Sequence, residues 1–127
     1  MSALPIGQQI TWVYTEDLEG TARFYEVVLG LETALDQGQC RVYRTSPTSF
    51  LGLCRVRPGR FVEPKGVVLT LLTDDVDAWH AHLLAHGADV QGPPEHHAAF
   101  KVYAFFVKDP NGYLIELQRF EDPRWKG

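Results

Sequence analysis

FFVKDPNGYLIELQRF, residues 105–120, joins two apolar runs through a turn and then sets one carboxylate, Glu116, among residues that otherwise read as strand. Asp109, Pro110, Asn111 and Gly112 supply the turn chemistry that closes a hairpin between the two runs. Alternation along the second run puts Ile115 and Leu117 on one face, and Leu114, Glu116 and Gln118 on the other. A carboxylate in that place holds a metal, lines a pocket or faces water, and the rest of the chain has to decide which.

Working outward, the stretch closes the second of two similar halves. DLEGTARFYEVVLG, residues 17–30, carries Leu18, Thr21, Ala22, Phe24, Tyr25, Val28 and Leu29 on one helical arc, with Glu19, Arg23 and Glu26 opposite. Asp17 is placed to cap its start and Gly30 its end, and Glu19 and Arg23 are spaced for a pair one turn apart. DDVDAWHAHLLAHG, residues 74–87, repeats the pattern with Val76, Trp79, Leu83 and Leu84 as its buried side. TEDLEGTARFYEVVLGL and TDDVDAWHAHLLAHGA share an opening Thr-acid-Asp-aliphatic-acid and a closing glycine, which reads as an internal duplication.

Strand signals surround each helix. ITWVYT (10–15) precedes the first, and CRVYRT (40–45) and SFLGLCRV (49–56) follow it; GVVLTLLT (66–73) precedes the second, and AFKVYAFFV (99–107) and YLIELQRF (113–120) follow. Each half therefore reads as strand, helix, then two or three strands. Turn residues at 46–49, 57–60, 91–95 and 109–112 separate them. The halves cover about residues 8–56 and 67–121, joined by a linker at 57–66 that is rich in proline and glycine, within one domain spanning 1–127.

The bulk composition narrows the function. At 127 residues, with 45% hydrophobic and 22% charged residues, the chain has the make-up of one folded domain. A net charge of -4 with no Lys/Arg cluster gives no field to attract a phosphate backbone, so no nucleic acid partner is expected. No apolar stretch approaches the ~20 residues of a membrane span, and no secretory signal is visible. A cytoplasmic location, with no membrane partner, is the default. Cys40 and Cys54 lie in apolar strand-like segments without CxxC spacing; buried reduced thiols are expected, with a disulfide or a reactive thiol as alternatives.

The first-half pattern Asp17, Leu18, Phe24, Tyr25, Leu29, Gly30, Leu31, followed at the end by Asp109, Pro110, Gly112, Ile115, Glu116, Leu117, resembles the vicinal oxygen chelate superfamily. That group includes glyoxalases, bleomycin-resistance proteins, fosfomycin-resistance enzymes and extradiol dioxygenases. The resemblance implies an α+β fold of two βαβββ modules, whose strands curve into an open, cup-shaped mixed sheet with the helices outside. It also implies a small-molecule ligand in the cup and pairing into a homodimer. Reaction type does not follow, because one fold hosts metalloenzymes and proteins that only sequester a compound.

Metal-using members place ligands on the first and last strand of each module. Counting back seven residues from Asp17 and Asp75 reaches Ile10 and Val68, the last strand of the first module offers only Cys54 as a possible ligand, and Glu116 alone matches its family position. One carboxylate does not hold a divalent ion against water, so no metal and no cofactor are expected. His96 and His97, in the loop PPEHHAAF, are the groups that would have to swing toward Glu116 to rebuild a site. His82 and His86, one turn apart, read as helix-surface residues.

With position 10 facing the cup, parity brings Trp12 and Tyr14 to the same side, Thr70 and Leu72 after Val68, and Leu114 and Gln118 beside Glu116. Tyr103 is a further candidate for its hydroxyl, although nothing decides which face of residues 101–107 looks inward. Arg41, Arg44 and Arg55 lie where alternation places charges in solvent, with one of them able to reach over the rim. An apolar cup with few polar anchors suits an aromatic or cationic compound. The resulting expectation is a metal-free binding protein of the bleomycin-resistance type, with ligand contacts at Trp12, Tyr14, Thr70, Tyr103, Leu114 and Gln118. The alternative is a glyoxalase-like lyase or dioxygenase, metal-independent or with an atypical metal site, in which Glu116 is catalytic as general acid or base.

Overall fold

Alternating strand patterns in each half become one mixed sheet apiece in the computed structural model, which describes residues 4–127. The chain runs β1 (Gln9–Thr15), α1 (Leu18–Arg23), a π-helical turn (Phe24–Val28), β2 (Glu32–Asp36), β3 (Cys40–Ser46), β4 (Ser49–Arg55), β5 (Val68–Leu72), α2 (Val76–Ala85), β6 (Asp89–Val90), β7 (Glu95–His97), β8 (Val102–Lys108) and β9 (Leu114–Phe120). Two units divide between Glu63 and Pro64. The first sheet has the order β1-β4-β3-β2; the second has the order β5-β9-β8-β6, with β7 also on β8. In each unit the first strand pairs parallel to the last, and the remaining pairs are antiparallel.

In the first unit the Asp17 carboxylate accepts from the Gly20 N–H, which caps α1, and Gly30 ends the helical segment at φ 68°. Between them the ladder slips by one residue, with the Leu29 N–H donating to the Phe24 carbonyl. Leu18, Thr21, Ala22, Phe24, Tyr25 and Leu29 are buried, against Val13, Leu51, Leu53 and Tyr43 on one face of the sheet. The Thr15 and Thr21 hydroxyls share a buried hydrogen bond, at 2.8 Å, which satisfies both polar groups at that seam.

Arg41 departs from the expectation of a solvated charge. Its side chain lies on the helix-covered face, ion-paired to Glu19 at 2.6 Å and Glu26 at 3.1 Å. Glu26 also accepts from the Tyr43 hydroxyl at 2.7 Å. Glu19 thus pairs across to the sheet, where a partner at Arg23 was expected. Burial opposes the Arg41 charge, but the bonds to Glu26 and Tyr43 and the charge of Glu19 outweigh it and raise the guanidinium's pKa.

The cysteines also correct the expectation of reduced thiols. Cys40 and Cys54 stand directly opposite each other on β3 and β4, with Cα atoms 4.0 Å apart, and are joined in a disulfide. Strand alternation alone could not show that register, which the short SPTS turn sets.

In the second unit Val76 and Leu83 of α2 are buried, with Phe105, Val107, Ile115 and Leu117 of the sheet. His80 joins this side, its ring edge-on to Phe105 at 5.0 Å. Leu84, expected inside, is exposed. His96 and His97 lie on the short strand β7 and pair with β8, where a loop was expected.

Candidate functional site

The hairpin formed by residues 105–120 fixes the second sheet's faces. Asp109 is buried, and its Oδ1 accepts from the N–H groups of Asn111 at 2.8 Å and Tyr113 at 2.9 Å. Gly112 completes the turn with φ 89°, a conformation open to glycine at little cost. Lys108 then pairs with Leu114, Phe106 with Glu116, and Ala104 with Gln118. On the other side of β9, Val68, Thr70 and Leu72 of β5 pair with Leu114, Glu116 and Gln118. Cross-strand partners share a face. Glu116 therefore sits in a row Phe106–Glu116–Thr70, on the face away from α2, with Leu114, Val68, Gln118 and Leu72 in the adjoining rows.

Glu116 is half-buried, and the Thr70 hydroxyl donates to its Oε1 at 2.9 Å. Gln118 is 9% exposed. At one end of the unit a cavity of about 190 Å³ is lined by Leu72, Thr73, Asp74, Gln118, Arg119, Phe120 and Trp125. The Trp125 ring lies 4.7 Å from that of Phe120.

Tyr103 belongs elsewhere. It pairs with Arg119 and His96, on the α2 side, and its hydroxyl donates to Asp77 at 2.5 Å. That bond raises the phenol's pKa. Tyr103 is thus separated by the sheet from Glu116, and the pocket role expected of it is corrected to a contact between sheet and helix. Phe106, whose face the sequence left open, is the β8 neighbour of Glu116. The signal was available: a five-residue loop, 109–113, pairs 108 with 114 and hence 106 with 116.

In the first unit β1 turns Val13, 1% exposed, toward α1, and leaves Ile10 and Trp12 at 41% and 38% on the other face. Tyr14, half-buried, follows the same parity. Their partners on β4 are Phe50, Gly52 and Cys54. Arg44 stacks over Phe50 at 4.9 Å and pairs with Glu32 at 3.1 Å. Trp12, Tyr14, Thr70, Leu114, Glu116 and Gln118 thus all lie on the faces their parity predicts.

At the first-strand positions where metal-using relatives carry ligands, Ile10 and Val68 are aliphatic, and Cys54, the one candidate ligand that β4 offers, is tied to Cys40. His96 bonds Glu121 at 2.8 Å on the Tyr103 side. His97 pairs with Val102, two residues along β9 beyond the Gln118 row. Among the described residues no three His, Cys, Asp or Glu side chains converge on a point that would hold an ion.

Each unit sets its helix on one face of a mixed sheet, the first as βαβββ and the second with one further short strand. The Glyoxalase/Bleomycin resistance protein/Dioxygenase superfamily model matches residues 7–117, and the chain belongs to that family. It is similar to a lactoylglutathione lyase from Agrobacterium tumefaciens, with a TM-score of 0.75 at 21% identity, covering 95% of this chain and 98% of that one. A glyoxalase/bleomycin resistance protein/dioxygenase from Nocardioides gives a TM-score of 0.74 at 20% identity, over 100% and 91%. A glyoxalase/bleomycin resistance protein from Albidiferax ferrireducens T118 gives 0.70 at 25%, over 87% and 95%. No curated protein matches the sequence. No helix among the described residues is long and apolar enough to cross a membrane.

Proposed function

We propose that this protein binds a small organic molecule without a bound metal, using the sheet faces turned away from its helices. In the second unit Glu116, steadied by Thr70, is the polar anchor for an amine or hydroxyl; in the first unit Trp12 and Tyr14 offer aromatic surface. The observation that carries this reading is the setting of Glu116. A half-buried carboxylate among Phe106, Leu114 and Val68, hydrogen-bonded by a neutral hydroxyl, suits a donor on an otherwise apolar ligand. Aliphatic Ile10 and Val68 at the two first-strand positions favour the metal-free form.

Thermal-shift screening with aromatic amines and aromatic alcohols tests the proposal, because a ligand that binds only the native state raises its stability. Hits are expected, weakened at least tenfold in Glu116→Gln. Equal affinity in that variant would overturn it. We also propose a homodimer, supported by apolar Ile10, Val68 and Leu72 left exposed on sheet faces; light scattering at the monomer mass would contradict it.

A further inference from the structure

Gly52 lies inside β4, between Leu51 and Leu53, and is absent from the glycines with positive φ. Its backbone would accept any residue, and glycine inside a strand loses packing and order. Its neighbour explains it. A Cβ built on Gly52 would stand 2.5 Å from Cζ3 and 2.6 Å from Cδ2 of Trp12, overlapping the six-membered ring. The indole therefore lies across the Gly52 backbone in van der Waals contact, while more than a third of Trp12 stays open to solvent.

We propose that Gly52 is a specificity-determining residue, which holds the Trp12 indole down on the sheet as a preformed platform for a flat heteroaromatic ring system. The inference deepens the binding reading above and rests on it. Three features support it. The outer indole surface is the free one, because the inner side is against the strand. An indole face is electron-rich, so it favours electron-poor rings in offset stacking. The side chains around it on that face include apolar Ile10, Phe50 and Val42 along with Tyr14, and the Arg44 guanidinium is engaged by Phe50 and Glu32. A ring held in place before binding loses little conformational freedom on binding.

The test uses full-length protein labelled with 5-fluorotryptophan, the Trp12 resonance assigned by Trp12→Phe, and phenazine as the planar probe. A saturated ring compound of similar size is the control. Gly52→Ala is expected to shift the Trp12 resonance in the ligand-free protein and to weaken phenazine at least tenfold, with little change for the control. If the alanine variant does not fold, Trp12→Leu with Gly52 intact serves, and is expected to lose the preference for the planar probe. Unchanged phenazine affinity in the folded alanine variant, or in Trp12→Leu, overturns the platform. So does absence of phenazine binding to the unaltered protein. Failure here with aromatic amines still bound through Glu116 refutes the platform alone, whereas loss of all ligands refutes the binding reading too.

Discussion

Asp109→Ala removes the acceptor that organises the hairpin carrying Glu116. Two backbone N–H groups lose their partner: that of Tyr113, in a buried bond, and that of Asn111, in a partly buried one. An unsatisfied buried donor costs about 1–3 kcal/mol, and water can reach the Asn111 group, so the substitution should cost about 2–4 kcal/mol. For a chain of this size each kcal/mol corresponds to roughly 4 °C in midpoint, which predicts a fall of about 8–15 °C by circular dichroism. Asp109→Asn keeps a carbonyl acceptor and should cost less than half as much. A one-residue slip of β9 would send Glu116 to the α2 side, so ligand binding should weaken along with stability. A loss below about 0.5 kcal/mol in the alanine variant, the size of an ordinary surface change, would refute the view that this carboxylate sets the register.

Other consequences can be checked separately. Burial, and then the hydrogen bond to Glu26, raise the Tyr43 phenol above its ordinary 10.0. The protonated phenol is favoured by folding, so this stability is complete below about pH 10 and declines as pH rises further, by about 1.4 kcal/mol per unit. Tyr43→Phe should flatten that alkaline decline in urea titrations, and an unchanged slope would contradict the assignment. Reduction of Cys40–Cys54, 14 residues apart, should cost at most about 3 kcal/mol, seen as a lower melting midpoint with reductant that Cys40→Ser does not show. Cytosolic thiols are kept reduced, so recovery of oxidised protein after thiol trapping would contradict the cytoplasmic location expected from the sequence. Tyr103→Phe should leave every ligand affinity unchanged, because its hydroxyl bonds Asp77 on the α2 side; lost binding would restore Tyr103 to the pocket.

What the sequence disclosed followed from periodicity. Asp17, Gly30 and the buried arc from Leu18 to Leu29 marked the first helix, because an amphipathic helix on a sheet repeats every 3.6 residues. Trp12, Thr70 and Glu116 lie on the sheet faces that alternation assigned them, because a strand's period of two leaves only two faces. Contacts between segments distant in sequence were harder to read. Arg41 looked like a solvated strand charge because its partners Glu19 and Glu26 sit 22 and 15 residues away, on the helical segment. Tyr103 was undecided until the hairpin register tied it to Arg119. Cys40 and Cys54 met because a short turn aligned β3 with β4, and Gly52 gained its meaning from a tryptophan 40 positions earlier, brought beside it by parallel pairing.

Element analysis of protein purified without chelator bears most directly on the central claim, that Glu116 anchors a ligand in a site without metal. The expected result is no transition metal near one equivalent per chain, in the unaltered protein or in Glu116→Gln. One equivalent of a transition metal in the unaltered protein, lost in Glu116→Gln, would contradict it.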